Sequence, residues 1–325
     1  MLMPFHIAVI GAGIAGLSCA TALQHAGFKV SVFDKSRGPG GRMSTRVGAS
    51  WQCDHGAQYF TASDPGFRAE VTRWESAGAA APWYPDLICF DGDGSRRCSP
   101  VQRFVGTPRM SSPAKWLASA LTLRTETQIT ALERNGSAWH LQAQGDGWLD
   151  AQFDAVVLAL PAPQAAPLLR PIAPHAAELA DAVSMAGCWA VLLEYDMPQQ
   201  LGFDAAFVNH GPLRWVARDN SKPGRGGAES WLLHASAEWS EGHIELDPAQ
   251  IAALLLPAFA ELGGAAPLHA SAHRWRYAST PQECNEVFVW DDEQCLGVCG
   301  DWLNGGTVEA AWVSGRRLAS SIAAR

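Results

Sequence analysis

The chain predicts an α/β fold in which a Rossmann-like dinucleotide-binding domain is interrupted by an inserted substrate domain of mixed, largely antiparallel α+β character. Three observations carry this expectation. Gly11, Gly13 and Gly16 stand at the spacing G-x-G-x-x-G between an apolar β-type run and a helix-compatible one. A second strand-like run, KVSVF, ends on an acidic residue, Asp34. The remaining chain holds isolated strand-like runs such as CWAVLLEY and SWLLHAS, with no second G-x-G-x-x-G after a strand: Gly92 and Gly94 belong to a DGDG turn and PGRGG at 223–227 to a loop.

The opening run from Ile7 to Leu23 is uncharged and near the lower length of a membrane span, and MLMPFH lacks the basic start of a signal peptide. Its glycines decide against both readings. FHIAVI forms a strand, Gly11 permits the turn, Gly13 lets the backbone approach a pyrophosphate, and Gly16 lets the following helix lie against the strand. The helix N-terminus then offers amide hydrogens and positive dipole to phosphates. Asp34 stands where an acid takes the ribose hydroxyls. This fingerprint alone does not separate NAD from FAD, because both present an ADP half.

Composition narrows the partners. With 48% hydrophobic and 17% charged residues the chain supports one large core or two modest ones, and its net charge of -8 contains no basic block, which argues against nucleic acid and anionic membranes. Eight cysteines, at 19, 53, 89, 98, 188, 284, 295 and 299, include no C-x-x-C pair and no zinc-type spacing, so they are expected to be free buried thiols in a reduced, cytoplasmic setting, and no metal site is expected. Fourteen tryptophans mainly fill core, with a remainder available to line a pocket for a flat ligand. The sequence leaves monomer or homodimer open.

After Asp34 comes KSRGPGGRMSTR, too glycine-rich and basic to continue a nicotinamide domain. This segment resembles the flavin-containing amine oxidase superfamily, with its glutathione-reductase-type dinucleotide domain. The resemblance implies non-covalently bound FAD, wrapped by Gly40 and Gly41, with Arg42 reaching the pyrophosphate. At the far end, CLGVCGDWLNGGTVEAAW reads as a strand through Cys299, a Gly300-Asp301 corner and a closing helix from about Thr307. The resemblance gives Asp301 a ribityl hydroxyl and points the helix N-terminus at the flavin's pyrimidine edge. Between them, DAVVLALPAP from Asp154 to Pro163 resembles the strand that leaves the FAD domain, preceded by a hairpin turning at Asn135-Gly136. By resemblance the Ile129 backbone lies against adenine.

The implied cofactor residues are therefore Gly11, Ala12, Gly13, Ile14, Gly16, Asp34, Lys35, Arg37, Gly41, Arg42, Met43, Gly56, Ala57, Gln58, Ile129, Gly300, Asp301, Thr307 and Val308. The FAD domain is expected at 1–62, 110–165 and 270–325, and the substrate domain at 63–109 and 166–269. The latter includes a helix in DPAQIAALLLPAFAELGG, with Asp247 as N-cap and Pro248 in the first turn.

FDKSRGPGGRMSTR, DHGAQYFT, VGTPRMS, ARDNSKP, LHASAEWS, HRWRYA and CGDW together resemble the bacterial renalases from end to end. That resemblance implies oxidation of misreduced nicotinamide dinucleotides, the 2- and 6-dihydro isomers of NAD(P)H, to NAD(P)+, with electrons passing to FAD and then to O2 as hydrogen peroxide. Hydride transfer of this kind needs no general base, and the chain shows no nucleophile elbow, so no catalytic side chain is expected. Pocket candidates are Gln58 toward a carboxamide, Tyr59, Phe60, Arg103 toward a phosphate, Trp189, Trp231, His234, Trp275 and Trp302, with Trp239 beside them; His55 and His273 are less favoured. Lys222 falls in a polar loop that gates the pocket or is solvated. Relatives often carry Arg where this chain has Thr307, which leaves open how phosphate is held. Two alternatives stand: a flavin amine oxidase or desaturase, for which Cys284 is the available covalent anchor, and a non-enzymatic binding protein on the same fold.

Overall fold

The computed structural model describes residues 5–92, 94–280, 284 and 286–324. The strands His6–Ile10, Lys29–Phe33, Thr122–Arg124, Ala155–Leu158 and Leu296–Cys299 form a parallel sheet, with Phe288–Asp291 antiparallel at one edge. His6–Ile10 is central, pairing Val9 with Val32 on one side and Val157 on the other. Its residues alternate between two cores, which is why the run reads as continuously apolar. Ile7 and Val9 pack with Leu17 and Leu318 of the helices Ile14–His25 and Val308–Ala323. Ala8 and Ile10 pack with Leu132, Trp139 and Leu169 on the opposite face. There the hairpin Ile129–Asn135 and Ala138–Ala143 turns through Gly136 at a φ of 64°, as its Asn-Gly signal predicts.

The second sheet has seven strands in the order His269–Ser279, Ala186–Tyr195, Glu229–Ala235, Leu213–Arg218, Ala205–Val208, Leu87–Asp91, Gly94–Arg97. All neighbours are antiparallel except Ala205–Val208 with Leu87–Asp91, so the sheet is mixed and largely antiparallel. The helix Pro248–Glu261 covers it, placing Ile251, Leu255 and Phe259 against Trp189 and Trp231. Asp247 caps that helix in a full capping box with Gln250.

Three expected boundaries move. His269–Ser279 pairs with Ala186–Tyr195 from end to end, so the second sheet continues past 270. The helices Ala162–Leu169 and Pro174–Asp181 pack onto the first sheet's far core, beyond the boundary expected at 165. The helix Pro65–Ser76 sends Phe67 and Trp74 into a core that holds Leu17 and Leu318 together with Leu87, Ala205 and Trp215 of the second sheet. In each case burial of an apolar face decides where the segment docks, and that partner lies far away in sequence.

The cysteine expectation is corrected as well: Cys89 and Cys98 form a disulfide. The hairpin register, Cys89 opposite Arg96, brings Cys98 diagonally beside Cys89, a proximity that short-motif spacing does not display. Cys19, Cys53 and Cys299 are free and buried, whereas Cys188, Cys284 and Cys295 are free but half-buried. No helix among the described residues is long and apolar enough to cross a membrane.

The helices Ile14–His25 and Val308–Ala323 meet through Gly315, where an added Cβ would lie 2.0 Å from the Ala15 carbonyl oxygen and 2.4 Å from Ser18 Oγ. Gly315→Ala adds only that methyl group. Its gain in helix propensity is about 1 kcal/mol, and overpacking against backbone costs about 1–3 kcal/mol and cannot relax by rotamer change. A net loss of up to about 2 kcal/mol is expected as a lower urea midpoint, whereas a raised midpoint would mean that the helices can part without cost.

Candidate active site

A cleft of about 2200 Å³ runs past the carboxyl ends of the parallel strands and on to the second sheet. This is the general position for ligands in open α/β sheets. One half is lined by Gly11, Gly13, Ile14, Asp34, Lys35, Arg37, Gly41, Arg42, Met43, Ile129, Gly300, Asp301, Thr307 and Val308, and the junction by Gly56 and Ala57. The other half is walled by Arg46, His55, Tyr59, Phe60, Cys188, Arg214, Trp215, His234, His273, Arg274, Trp275, Arg276 and Tyr277.

In the first half, the strand ends at Gly11, whose φ of 112° only glycine adopts readily. The helix then starts at Gly13, which offers no side-chain cap. Gly16 packs so tightly that a Cβ would lie 2.0 Å from the Gly11 carbonyl oxygen, whereas a Cβ on Gly13 would meet nothing within 4 Å. Gly16 therefore serves internal packing, and Gly13 keeps the cleft open at a bare helix N-terminus. Asp34 is oriented by two amides, accepting from Ala12 N–H at 2.6 Å and Ser36 N–H at 2.7 Å. Arg42 and Asp301 form an ion pair across the middle of the cleft, and Arg42 also donates to the Ala278 carbonyl at 3.2 Å. Thr307 is the N-cap of the closing helix, its Oγ1 accepting from Ala310 N–H at 3.0 Å. These residues fit FAD: two helix N-termini face one cleft, with an acid at the second strand's end and an Arg–Asp pair between.

The second half is aromatic. His55 stacks on Trp275 at 5.1 Å between centroids, and His273 meets both edge-on at 4.8 and 4.5 Å. The His55 carbonyl accepts from Trp275 Nε1 at 2.7 Å and from His234 Nε2 at 3.1 Å, so the carbonyl fixes His234 with Nδ1 unprotonated. Burial pushes His55 down to about 3, helped by the charge of Arg46 and by His273. Burial also lowers His234 and His273 to about 4, the latter aided by Arg46. All three imidazoles are neutral near pH 7. Burial likewise pushes the Cys188 thiol up to about 12, which leaves it protonated and a poor nucleophile.

Beneath this wall lies a charge cluster that the sequence reading missed. Lys222 is fully buried and gives its three N–H bonds to Asp54 Oδ2 at 3.1 Å, Asp219 Oδ1 at 2.9 Å and Gln58 Oε1 at 3.1 Å. Arg225 donates to Asp54 Oδ2 at 2.5 Å and to the Gly106 carbonyl at 2.8 Å. Burial alone would raise the Asp54 carboxyl, but Lys222 and Arg225 outweigh it and hold the carboxyl well below its ordinary range. Two acids and two bases, all within 9% exposure, make the cluster electrically balanced.

Several expected pocket residues therefore belong elsewhere. Lys222 neither gates the pocket nor meets solvent. Gln58 is held by Lys222 and donates to the carbonyls of Asp54 and Gly56 at 2.6 and 3.1 Å, so it has no amide group left for a ligand. Arg103 is buried, lies 5.0 Å over the Tyr59 ring and bonds the Val101 carbonyl. Trp189, Trp231 and Trp302 are core residues whose indole N–H groups go to His243 O, Glu229 Oε1 and Leu160 O. Trp239 stacks on His243 at 4.0 Å. Ala12 and Gly16 sit behind the lining rather than in it, and Cys284 packs against the first sheet's core. Tyr59, Phe60, His234 and Trp275 do line the cleft, joined by His55 and His273, which sequence ranked lower, and by Trp215, Tyr277, Cys188 and Arg46, which it did not single out.

Comparison with known proteins places this geometry. The family model for a flavin-containing amine oxidoreductase matches residues 73–323, and one for an NAD(P)-binding Rossmann-like domain matches residues 9–72. The chain is 30% identical over 211 residues, 51% of its length, to a bifunctional tRNA 5-methylaminomethyl-2-thiouridine biosynthesis protein of Magnetococcus marinus, covering 30% of that protein. Shorter matches are 58% over 37 residues to a zeta-carotene-forming phytoene desaturase of Myxococcus xanthus, 11% of this chain and 7% of that protein, and 46% over 55 residues to an L-amino-acid oxidase of Daboia russelii, 16% and 11%. The chain thus spans less than a third of the length of each of these relatives. Among solved structures, putrescine oxidase with putrescine bound superposes with a TM-score of 0.76 at 14% identity, over 99% of this chain and 100% of that one. Cyclohexylamine oxidase from Brevibacterium oxydans IH-35A gives the same score and identity over 99% of both, so the likeness is one of fold.

Two outcomes test the site. A Cβ at Gly13 would meet no protein atom within 4 Å and the backbone φ there is an ordinary -75°, so in Gly13→Val the apoprotein should lose no more than about 1 kcal/mol, the worth of a helix cap, while flavin retention is abolished. A variant that purifies yellow with wild-type flavin content would contradict the assignment of this helix end. Lys222→Met strands buried carboxylate charge and should cost about 3–5 kcal/mol in urea denaturation; a loss below about 1 kcal/mol would mean that water reaches the cluster.

Proposed function

The chain belongs to the flavin-containing amine oxidoreductase family, and on that premise we propose that it is a renalase-like FAD-dependent oxidase of misreduced nicotinamide dinucleotides, the 2- and 6-dihydro isomers of NAD(P). FAD, when bound, supplies the two-electron acceptor that returns the dihydropyridine to NAD(P)+ and passes the electrons to O2 as hydrogen peroxide. In this reading the Gly13 helix end and Arg42 hold the pyrophosphate, Asp34 the ribose, Asp301 the ribityl chain, and the Thr307–Val308 helix end the pyrimidine edge.

The observation that carries the substrate assignment is the charge of the second half of the cleft. Its described lining brings Arg46, Arg214, Arg274 and Arg276 beside neutral aromatic and imidazole rings, whereas the carboxylates of the cleft are Asp34, Asp301, which pairs with Arg42, and Glu309, which accepts from the Ser63 and Asp64 amides. A flat ring with an anionic tail matches such a wall, by stacking at one end and charge at the other. A dihydropyridine gives up hydride without losing a proton from a heteroatom, so the neutral imidazoles need only position it and exclude water. An amine is the second reading, favoured by the L-amino-acid oxidase match and by the fold shared with putrescine and cyclohexylamine oxidases. A cationic amine, however, would meet the guanidinium groups of Arg46 and Arg214, which have no carboxylate partner among the described residues, while Glu245 balances Arg274 and Arg276.

Anaerobic mixing of the flavin-loaded protein with 6-dihydro-NAD, 2-dihydro-NAD, ordinary NADH and a panel of amines should bleach the flavin band with one or both misreduced isomers at least about a hundredfold faster than with NADH, about 2.7 kcal/mol of discrimination. Oxygen should restore the colour with one peroxide per substrate. Bleaching by an amine alone would move the protein to the amine oxidases.

A further inference from the structure

We propose that Arg46, presented by His273, is the anion subsite of the substrate half of the cleft and takes the pyrophosphate of the dinucleotide. The inference rests on the reading of a dinucleotide substrate and supplies what the absence of Arg at Thr307 leaves open.

Arg46 lies in the short strand Thr45–Val47, opposite Cys53 in the strand Gln52–Asp54. That strand pair is tied to the buried charge cluster, because Thr45 Oγ1 donates to Asp54 Oδ1 at 2.5 Å. From there the Arg46 side chain reaches across the cleft, and its guanidinium donates to His273 Nδ1 at 3.0 Å, on a strand of the seven-stranded sheet. The acceptor is a neutral imidazole, kept so by burial and by Arg46 itself. The contact therefore orients the guanidinium without cancelling its charge, and most of its N–H bonds stay available for a bidentate anion.

The other arginines of this wall differ. Arg274 and Arg276 share Glu245, at 3.2 Å for the first and 2.6 and 2.9 Å for the second. Arg42 is paired with Asp301. Arg214 donates to Asn209 Oδ1 at 2.6 Å and lies over the Phe207 ring. Among the described residues Arg46 has no carboxylate partner, and it alone of these contacts the His55, His273 and Trp275 stack. A ligand whose ring lies on that stack brings an attached phosphate within reach of Arg46.

The test titrates ADP-ribose, which carries the pyrophosphate but no nicotinamide, into FAD-loaded wild-type, Arg46→Gln and Arg46→Lys proteins by calorimetry at two salt concentrations. Nicotinamide riboside, without phosphate, serves as the comparison ligand. Wild type should bind ADP-ribose with a salt-dependent Kd. Arg46→Gln should weaken it tenfold or more and flatten the salt dependence, Arg46→Lys should restore part of the loss, and nicotinamide riboside should be unaffected. Equal ADP-ribose affinity in Arg46→Gln, loss of FAD from that variant, or no binding by wild type would each overturn the subsite. The substrate reading is judged separately: if no dihydronicotinamide bleaches the flavin yet ADP-ribose binds through Arg46, that reading falls and the anion subsite stands.

Discussion

The cleft depends on one buried interaction, the four-charge cluster of Asp54, Asp219, Lys222 and Arg225. Asp54 belongs to a strand pair that follows the glycine-rich loop of the dinucleotide half, and Asp219, Lys222 and Arg225 to the turn after a strand of the seven-stranded sheet. Taking these charges out of water is unfavourable by several kcal/mol each, and only close pairing with full hydrogen bonding offsets that. The pairing is close to complete: all three Lys222 donors and both Asp54 oxygens are engaged, and Asp54 N–H donates to Asp219 at 3.1 Å. Such a cluster adds little net stability over an apolar one, but it has one good geometry. It thereby fixes how the two sheets face each other and where His55, one residue after Asp54, presents its ring and carbonyl.

From that fixed point the substrate wall follows in order. The His55 carbonyl accepts from Trp275 and His234, which come from two strands of the seven-stranded sheet, so a single backbone oxygen sets two side chains of the pocket. Gln58 completes the arrangement by bonding Lys222 with its oxygen and the Asp54 and Gly56 carbonyls with its nitrogen. The segment from Asp54 to Phe60 thus anchors the charge cluster on its buried side and lines the cleft on the other. The dinucleotide half rests on different physics, namely steric exclusion at Gly11 and Gly16, a bare helix end at Gly13 and a second helix end capped by Thr307.

The legible parts of the sequence were those whose signal is local. The strand, turn and helix around Gly11, Gly13 and Gly16 were readable because period, glycine spacing and capping lie within one short window, and the same holds for the Asn135-Gly136 hairpin and the Asp247 cap. What could not be read was long-range pairing. Lys222 sits in NSKPGRGG, whose composition is that of an exposed loop, and only the approach of Asp54 makes its burial tolerable. Trp189, Trp231 and Trp302 share residue type with Trp275, but their strand or corner positions face inward, and period-2 alternation alone does not say which face of a sheet meets a ligand. Cys89 and Cys98 are brought together by hairpin register. In DHGAQYFT the glutamine reads as a ligand group, whereas the structure ties it to Lys222 and to the Asp54 carbonyl while Tyr59 and Phe60 pack on other aromatic rings.

The electrostatics of the wall bear on what the site discriminates. Neutral rings in a desolvated cleft interact with any flat ring, so stacking alone does not distinguish one dihydronicotinamide isomer from another, or a nicotinamide from an aryl amine. On the proposed reading, discrimination falls to the few groups that can fix position along the wall: the acceptor nitrogen of His234, set by the His55 carbonyl, and the guanidinium of Arg46 beside His273. Two anchors separated by a ring define both the depth and the rotation of the ligand, and hence which ring carbon is presented toward the dinucleotide half. On the proposed reading, isomer choice would then be a consequence of anchoring at a distance from the reacting carbon, with the neutral imidazoles positioning the ring and exchanging no proton with it.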